Sequence, residues 1–325
     1  MNDSSLAVLI NGFGVLFVIL NSFGLGLRLP IGRLLGQVAT HWKIAVWALV
    51  INFVVIPVVF IGYLLTIASS IPDEIKVGFC VAALSAGMPF APLVTRLAKA
   101  DVSISTTLLV VLTVATIIAL PIGLPLAIDA VDAQLKTTAW DVAWPLLLFI
   151  LLPMALGCGF RIWWPDLTPR LARWMVRVAV LCLLFNLNFT LVAYWSLFVQ
   201  EWGTASYIAA IAGPFIGLGC AYLLVSALRV KKVGVRHATE VTTAVRNIAP
   251  MLLMMIFPFA ADPLVTVSIT ILNTVGLVVV LFFALMWRRA AKRLDTHATT
   301  SHPASDVPPP LTRDRRRGKP GAVTE

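Results

Sequence analysis

Apolar runs of about 20 residues, the length needed to span a bilayer as a helix, recur along most of the chain between short clusters of charge. Read between those clusters, the pattern predicts nine membrane spans: 5–27, 43–67, 74–95, 102–128, 142–163, 174–198, 204–228, 237–259 and 264–287. The third and eighth are interrupted near their middles. The first break reads Gly87-Met88-Pro89-Phe90-Ala91-Pro92, and the second reads Arg246-Asn247-Ile248-Ala249-Pro250. Proline cannot supply the amide of a helical hydrogen bond. No water in the hydrocarbon core replaces that bond, so broken backbone at this depth requires burial in protein or a polar cavity. Paired breaks in corresponding positions mark the midplane binding site of a secondary transporter.

Setting the third span beside the eighth aligns spans one to four with six to nine, leaving span five between them. Five crossings then separate span one from span six, so the second set starts on the opposite face. This is an inverted-topology repeat, the arrangement that supports alternating access. Charge gives the orientation. Basic residues gather after each odd-numbered span: Arg28, Arg33 and Lys43; Arg96 and Lys99; Arg161, Arg170, Arg173 and Arg177; Arg229, Lys231, Lys232 and Arg236; Arg288, Arg289, Lys292 and Arg293. The other connections hold Lys76 and Lys136 beside Asp73, Glu74, Asp129, Asp132, Asp141, Glu201 and Asp262. Leaving out those two lysines and the intramembrane Arg246, the other 22 of 25 Lys and Arg residues fall on one side. The positive-inside rule makes that side cytoplasmic. The predicted fold class is an all-α polytopic membrane protein with nine transmembrane helices, an inverted repeat and two broken crossing helices, N-terminus out and C-terminus in.

Composition agrees. Hydrophobic residues make up 59% of the chain and charged residues 12%, against about 25% charged in soluble domains. Residues 1–294 are expected to form one transmembrane domain in the cell membrane, in contact with lipid. The net charge of +10 is accounted for by topology signals, so no nucleic-acid partner is implied. Residues 295–325, with Pro308-Pro309-Pro310 and Arg315-Arg316-Arg317, are expected to be a disordered basic cytoplasmic tail. The first apolar run lacks a basic leader, so no cleavable signal is expected. Cys80, Cys158, Cys182 and Cys220 are scattered singly, which suits neither a zinc site nor a disulfide framework. No metal or other cofactor is implied. Without an HExxH motif, or a serine with a histidine partner at depth, no enzyme is implied either. Oligomeric state is not readable from the chain.

The candidate site centres on the breaks. Arg246 lies ten residues beyond Arg236, or about 15 Å along a helix, half of a hydrocarbon core of about 30 Å. An arginine there costs at least about 2.5–3.5 kcal/mol to insert. It must face a cavity, an anion, a partner acid or helix carbonyls. Two readings follow, a substrate-binding cation and a structural charge satisfied by carbonyls freed at Pro250. Asn247, on the break itself, is the next candidate. Glu240 reads either as an interfacial acid near Arg236 and His237 or as an ion-coupling acid. Asn186 and Asn188 are two apart and cannot share a helix face, so at most one lines a cavity; Asn188 is the candidate taken.

These residues resemble the bile acid:sodium symporter family. The likeness covers most of residues 1–288 in span order. It is sharpest at Gly87 to Ser105, including Thr95-Arg96-Leu97-Ala98-Lys99-Ala100-Asp101-Val102-Ser103-Ile104-Ser105, and at Thr242-Thr243-Ala244-Val245-Arg246-Asn247. It implies a moving core, spans 43–128 and 204–287, against a panel of spans 5–27, 142–163 and 174–198. The candidate substrate site is Met88, Pro89, Ala91, Pro92, Thr242, Thr243, Arg246 and Asn247 at the two breaks, with Asn188 from span six. Ser105 matches a sodium-ligand serine. The departures fall on the other sodium ligands. Sodium-coupled members carry Ser-Asn where this chain has Ala91-Pro92, a glutamate at Thr242, a glutamine at Arg246 and a hydroxyl at Leu109. A fixed cation repels a neighbouring one, so Arg246 is expected to take the electrostatic role of the lost ion. Coupling is then absent or proton-linked, with Glu240 the candidate acid; Glu240 and Ser105 are the ion-coupling candidates. The function expected is alternating-access transport of a small organic anion. The alternative is a membrane sensor or scaffold that keeps the fold without transport.

Overall fold

The computed structural model describes residues 3–29, 31–66, 71–244, 246–259 and 262–300. Every regular element among them is helical. The helices, in chain order, are α1 Asp3–Arg28, α2 Ile31–Thr40, α3 Trp42–Val50, α4 Ile56–Thr66, α5 Asp73–Leu84, α6 Ala91–Leu97, α7 Val102–Ala130, α8 Ala139–Leu146, α9 Leu152–Trp163, α10 Thr168–Ala193, α11 Trp195–Glu201, α12 Ala205–Ala227, α13 Val233–Ala244, α14 Ile248–Ile256 and α15 Pro263–Thr300. Among the described residues, seven stretches are long and apolar enough to cross a membrane. The two remaining expected spans are the interrupted ones. Each is present as two short helices, α5 with α6 and α13 with α14.

Local sequence explains the helix ends and irregularities. Asp101 caps α7, accepting from the amides of Ser103 and Ile104. Thr138 and Asp141 form a capping box at α8. A π turn, Ile51–Val55, joins α3 to α4, and a second, Leu147–Leu151, joins α8 to α9. Each is followed two residues later by a proline, Pro57 or Pro153, whose missing amide breaks the ordinary helical ladder.

Two packed groups of helices result. In one, α1 lies against α10 and α9. Gly26 and Gly157 bring α1 and α9 into backbone contact; a Cβ at either would overlap a carbonyl of the other helix, Met154 O or Phe23 O. In the other, α7 packs on α5, α6 and α13, and α12 on α13 and α4. Gly78 of α5 lies directly beneath the Ser268 hydroxyl of α15. Helix α14 contacts both groups through α1 and α5.

Two helices were not anticipated from apolar runs. Helix α2 is too short and too polar on one face to register as a span. Its Gln37 donates to Ser103 Oγ and accepts from Thr107 Oγ1 at 2.8 Å, seating it on the start of α7. Helix α11 continues the tenth after a turn at Tyr194. At the other end, α15 runs through residues 295–300, which the sequence assigns to the tail; helix-favouring Ala, Arg, Lys and Leu at 288–294 carry it past the expected stop at 287. The rest of that tail, 301–325, lies outside the described residues. The chain divides into two compact units, Met1–Arg288 and Arg289–Glu325.

Candidate functional site

The two breaks meet. The amide of Asn247 donates to the carbonyl of Ser85 at 2.8 Å, so backbone freed at one break is satisfied by the other. The first break is held from α7. Thr116 Oγ1 accepts from the Ala86 amide at 3.1 Å and lies 3.1 Å from the Ala86 carbonyl. Gly87 takes a positive φ of 86° and fits closely against Thr113 and the Leu109 carbonyl, where a Cβ has no room. The second break is capped by Asn247, whose side-chain oxygen accepts from the Ala249 amide at 3.1 Å.

Arg246 is buried, at 7% exposure. Its guanidinium donates to the Thr243 carbonyl, to Asn52 Oδ1 at 3.1 Å and to the Ala83 carbonyl at 3.4 Å. Two of those three acceptors are backbone carbonyls from the last turns of α5 and α13, where helical partners are lost. The π turn carries Asn52 inward, and Asn52 Nδ2 bonds the Ala48 carbonyl at 2.9 Å, which leaves its oxygen for the arginine. Beside Arg246 lies a cavity of about 20 Å³, water-sized. The guanidinium is thus a cation enclosed by oxygens in the core of the crossing.

A cavity of about 550 Å³ lies elsewhere, on the other face of the breaks. Its lining comes from α1 and α10 on one side and from α6, α7 and α14 with the first break on the other. Pro89, Phe90, Pro92 and Asn247 form part of it, with Asn21, Thr106, Thr113, Arg28 and Arg96. Arg246 does not line it.

The expected site residues therefore separate into three groups. Pro89, Pro92 and Asn247 reach the cavity. Met88 and Ala91 turn instead into an apolar cluster with Val94, Ala98, Val241 and Ala244. Apolar side chains on a tight turn bury on its protein side. Thr242 and Thr243 are fully buried. Thr242 lies 2.9 Å from Ser105 Oγ and donates to the Ala238 carbonyl at 2.7 Å. Ser105 thus spends its hydroxyl on a hydroxyl. Thr243 lends its carbonyl to Arg246, and its Oγ1 has no partner among the described residues. Glu240 is buried at 6% exposure. Among the described residues it makes no hydrogen bond, but the Arg236 charge, one turn earlier, acts on it.

Asn188 is exposed and lines a separate cavity with Leu191, Trp195 and Thr274 rather than the one at the breaks, and it donates to the Leu184 carbonyl of its own helix at 2.7 Å. Asn186 is the buried member of that pair, donating to the Ile10 carbonyl at 2.7 Å and fastening α10 to α1. Helical periodicity separates the two faces but does not say which face is covered. Sequence reasoning also missed Asn52. A lone asparagine deep in an otherwise apolar span was the available signal. Arg28 and Arg96 were read as topology signals alone.

A search of curated proteins finds no match. Residues 15–201, more than half of the chain, match the model of the Sodium Bile acid symporter family. Those residues include the first break and the helices around it, and this chain is a multi-pass membrane protein belonging to that transporter family.

Proposed function

We propose that the chain is a secondary transporter of a small organic anion in the cell membrane, working by alternating access and without sodium. On this reading it crosses the membrane nine times, with the N-terminus outside. Its two halves are an inverted repeat whose broken members, α5–α6 and α13–α14, cross at the midplane. The group α1, α9 and α10 is the panel against which the other helices move.

One observation carries the sodium-free reading. The oxygens gathered by the two breaks, Thr243 O, Ala83 O and Asn52 Oδ1, already surround the Arg246 guanidinium. Freed carbonyls and a side-chain amide oxygen are the ligand type a hard monovalent cation takes. A tethered cation in their midst neutralises the same dipoles and repels a second one. Ser105 and Thr242 support the reading, because their hydroxyls lie 2.9 Å apart, Thr242 donates to the Ala238 carbonyl, and no carboxylate joins them among the described residues. The substrate is then a solute of the larger cavity, recognised by groups other than Arg246. Glu240, buried and without a hydrogen bond among the described residues, is the group through which a proton couples on this reading.

Proteoliposome counterflow of labelled organic anions, run in sodium and in choline, tests this. Equal rates in the two salts are expected for the wild type. Sodium should raise the melting temperature of Arg246→Gln and leave that of the wild type unmoved, since a ligand stabilises only the form that binds it. Sodium-stimulated uptake that is lost in Ser105→Ala but retained in Arg246→Ala would defeat the proposal. Absence of counterflow with every anion, in a protein that binds one, would favour a sensor instead.

A further inference from the structure

The large cavity contains an electrostatic arrangement that topology alone does not explain. Arg28 ends α1 on one wall and Arg96 lies in the last turn of α6 on the other. The positive-inside rule accounts for basic residues at those helix ends. It does not require that both line one cavity, nor that the lining include no Asp or Glu among the described residues. The acid nearest Arg96 in sequence, Asp101, is committed to the amides of Ser103 and Ile104 at 2.9 and 3.2 Å. Among the described residues the Arg28 side chain makes one hydrogen bond, to the Ala172 carbonyl at 3.3 Å. The Arg96 guanidinium makes no hydrogen bond or ion pair among the described residues, and its charge acts on Arg28 across the gap. Between the arginines and the breaks, the walls mix apolar side chains such as Phe90 and Leu109 with the hydroxyls of Thr106 and Thr113.

We propose that Arg28 and Arg96 form a two-sided clamp for a doubly charged organic anion, and that the clamp is also the gate. The inference rests on the transport reading above and names its substrate class. A guanidinium matches carboxylate or phosphate oxygens in bidentate fashion, and the two stand on walls that alternating access must bring together. Closing the empty cleft drives two like charges toward each other while expelling the water that screens them. A monoanion offsets one charge and a dianion both. Dianion binding therefore favours closure, and the empty protein is held open. Without a co-transported ion, this arrangement ties movement of the protein to its cargo and favours exchange of one anion for another over net leak.

The gate can be read without knowing the natural substrate. Thr106 lines the cavity, and maleimide labelling of Thr106→Cys in the detergent-solubilised full chain, measured against the same protein lacking the substitution, reports whether the cleft is open. Adding Arg28→Gln or Arg96→Gln should slow labelling several-fold with no anion present, because repulsion no longer opposes closure. Arg28→Lys should restore the faster rate. In the parent Thr106→Cys protein, the dianions succinate, suberate and phenyl phosphate supply the ligand arm, with butyrate as the monoanion control. At least one dianion should slow labelling by about tenfold, the factor set by roughly 1.4 kcal/mol of differential binding, at concentrations where butyrate does nothing. Unchanged labelling in both glutamine variants overturns the gate. Equal effects of butyrate and the dianions, or no effect of any dianion, overturn the substrate class. Failure of the transport reading looks different: labelling would respond to charge and dianion while counterflow stayed at background. Normal counterflow with labelling indifferent to Arg28 and Arg96 would sink the clamp alone.

Discussion

The inside of the crossing and the cavity beside it both hold arginines, in opposite circumstances. Arg246 is enclosed, and three oxygens from α5, α13 and the π turn converge on it. Arg28 and Arg96 are exposed on facing walls; among the described residues their side chains make a single hydrogen bond, from Arg28 to the Ala172 carbonyl, and the lining holds no acid. The difference separates structural from recognising charge. A guanidinium whose donors are used by buried carbonyls stabilises what surrounds it and has little left to offer a solute. One left under-bonded beside an open cavity has donors to give.

The strongest way to break the comparison is Arg246→Ala. It strands the Thr243 and Ala83 carbonyls and Asn52 Oδ1 in a buried site, three neutral acceptors at about 1–3 kcal/mol for each one left unsatisfied. A large fall in melting temperature in detergent is expected; a fall of a degree or less would mean the charge is not structural. Thr116→Val comes next. It leaves the Ala86 amide and carbonyl without their partner, at about 1–3 kcal/mol for unsatisfied buried groups. The same measurement checks it, with Thr106→Val as the control because Thr106 bonds only its own helix. Gly87→Ala strains a backbone at positive φ, where about 1–2 kcal/mol is typical, and presses on Thr113. Its thermal shift should be similar or smaller, accompanied by impaired anion counterflow because the break lines the cavity. The smallest stability effect belongs to Arg28→Gln and Arg96→Gln, within about 0.5 kcal/mol as for other exposed positions. A large loss of stability in either would erase the distinction between the two kinds of arginine.

Much of this architecture was legible because a bilayer leaves few choices. Span lengths are set by its thickness, and the predicted starts at 5, 102, 204 and 264 fall within two residues of the observed helices. The breaks were legible because proline and a midplane charge are costly there. The side chains within them were less so. Pro89 lies on the irregular turn and Ala91, two residues on, opens α6, so no periodicity runs through the pair to assign a face, and one reached the cavity while the other was buried. Asn186 and Asn188 pose a related problem. They lie on different faces of their helix, and only the packing of α1 chose Asn186 to be covered.

The sequence by itself determined that this chain belongs in a membrane, where several of its helices begin, which two are broken, and that a positive charge lies at the second break. These follow from local composition and from the absence of water to forgive an unpaired backbone group. Only the tertiary structure decided what that charge is for. The direction of the Arg246 side chain depends on the carbonyls of α5 and on an asparagine 194 positions away, a convergence no local pattern encodes. The same holds for Arg28 and Arg96, which are 68 residues apart in sequence and become a pair only because folding places their helices on opposite walls of one cavity.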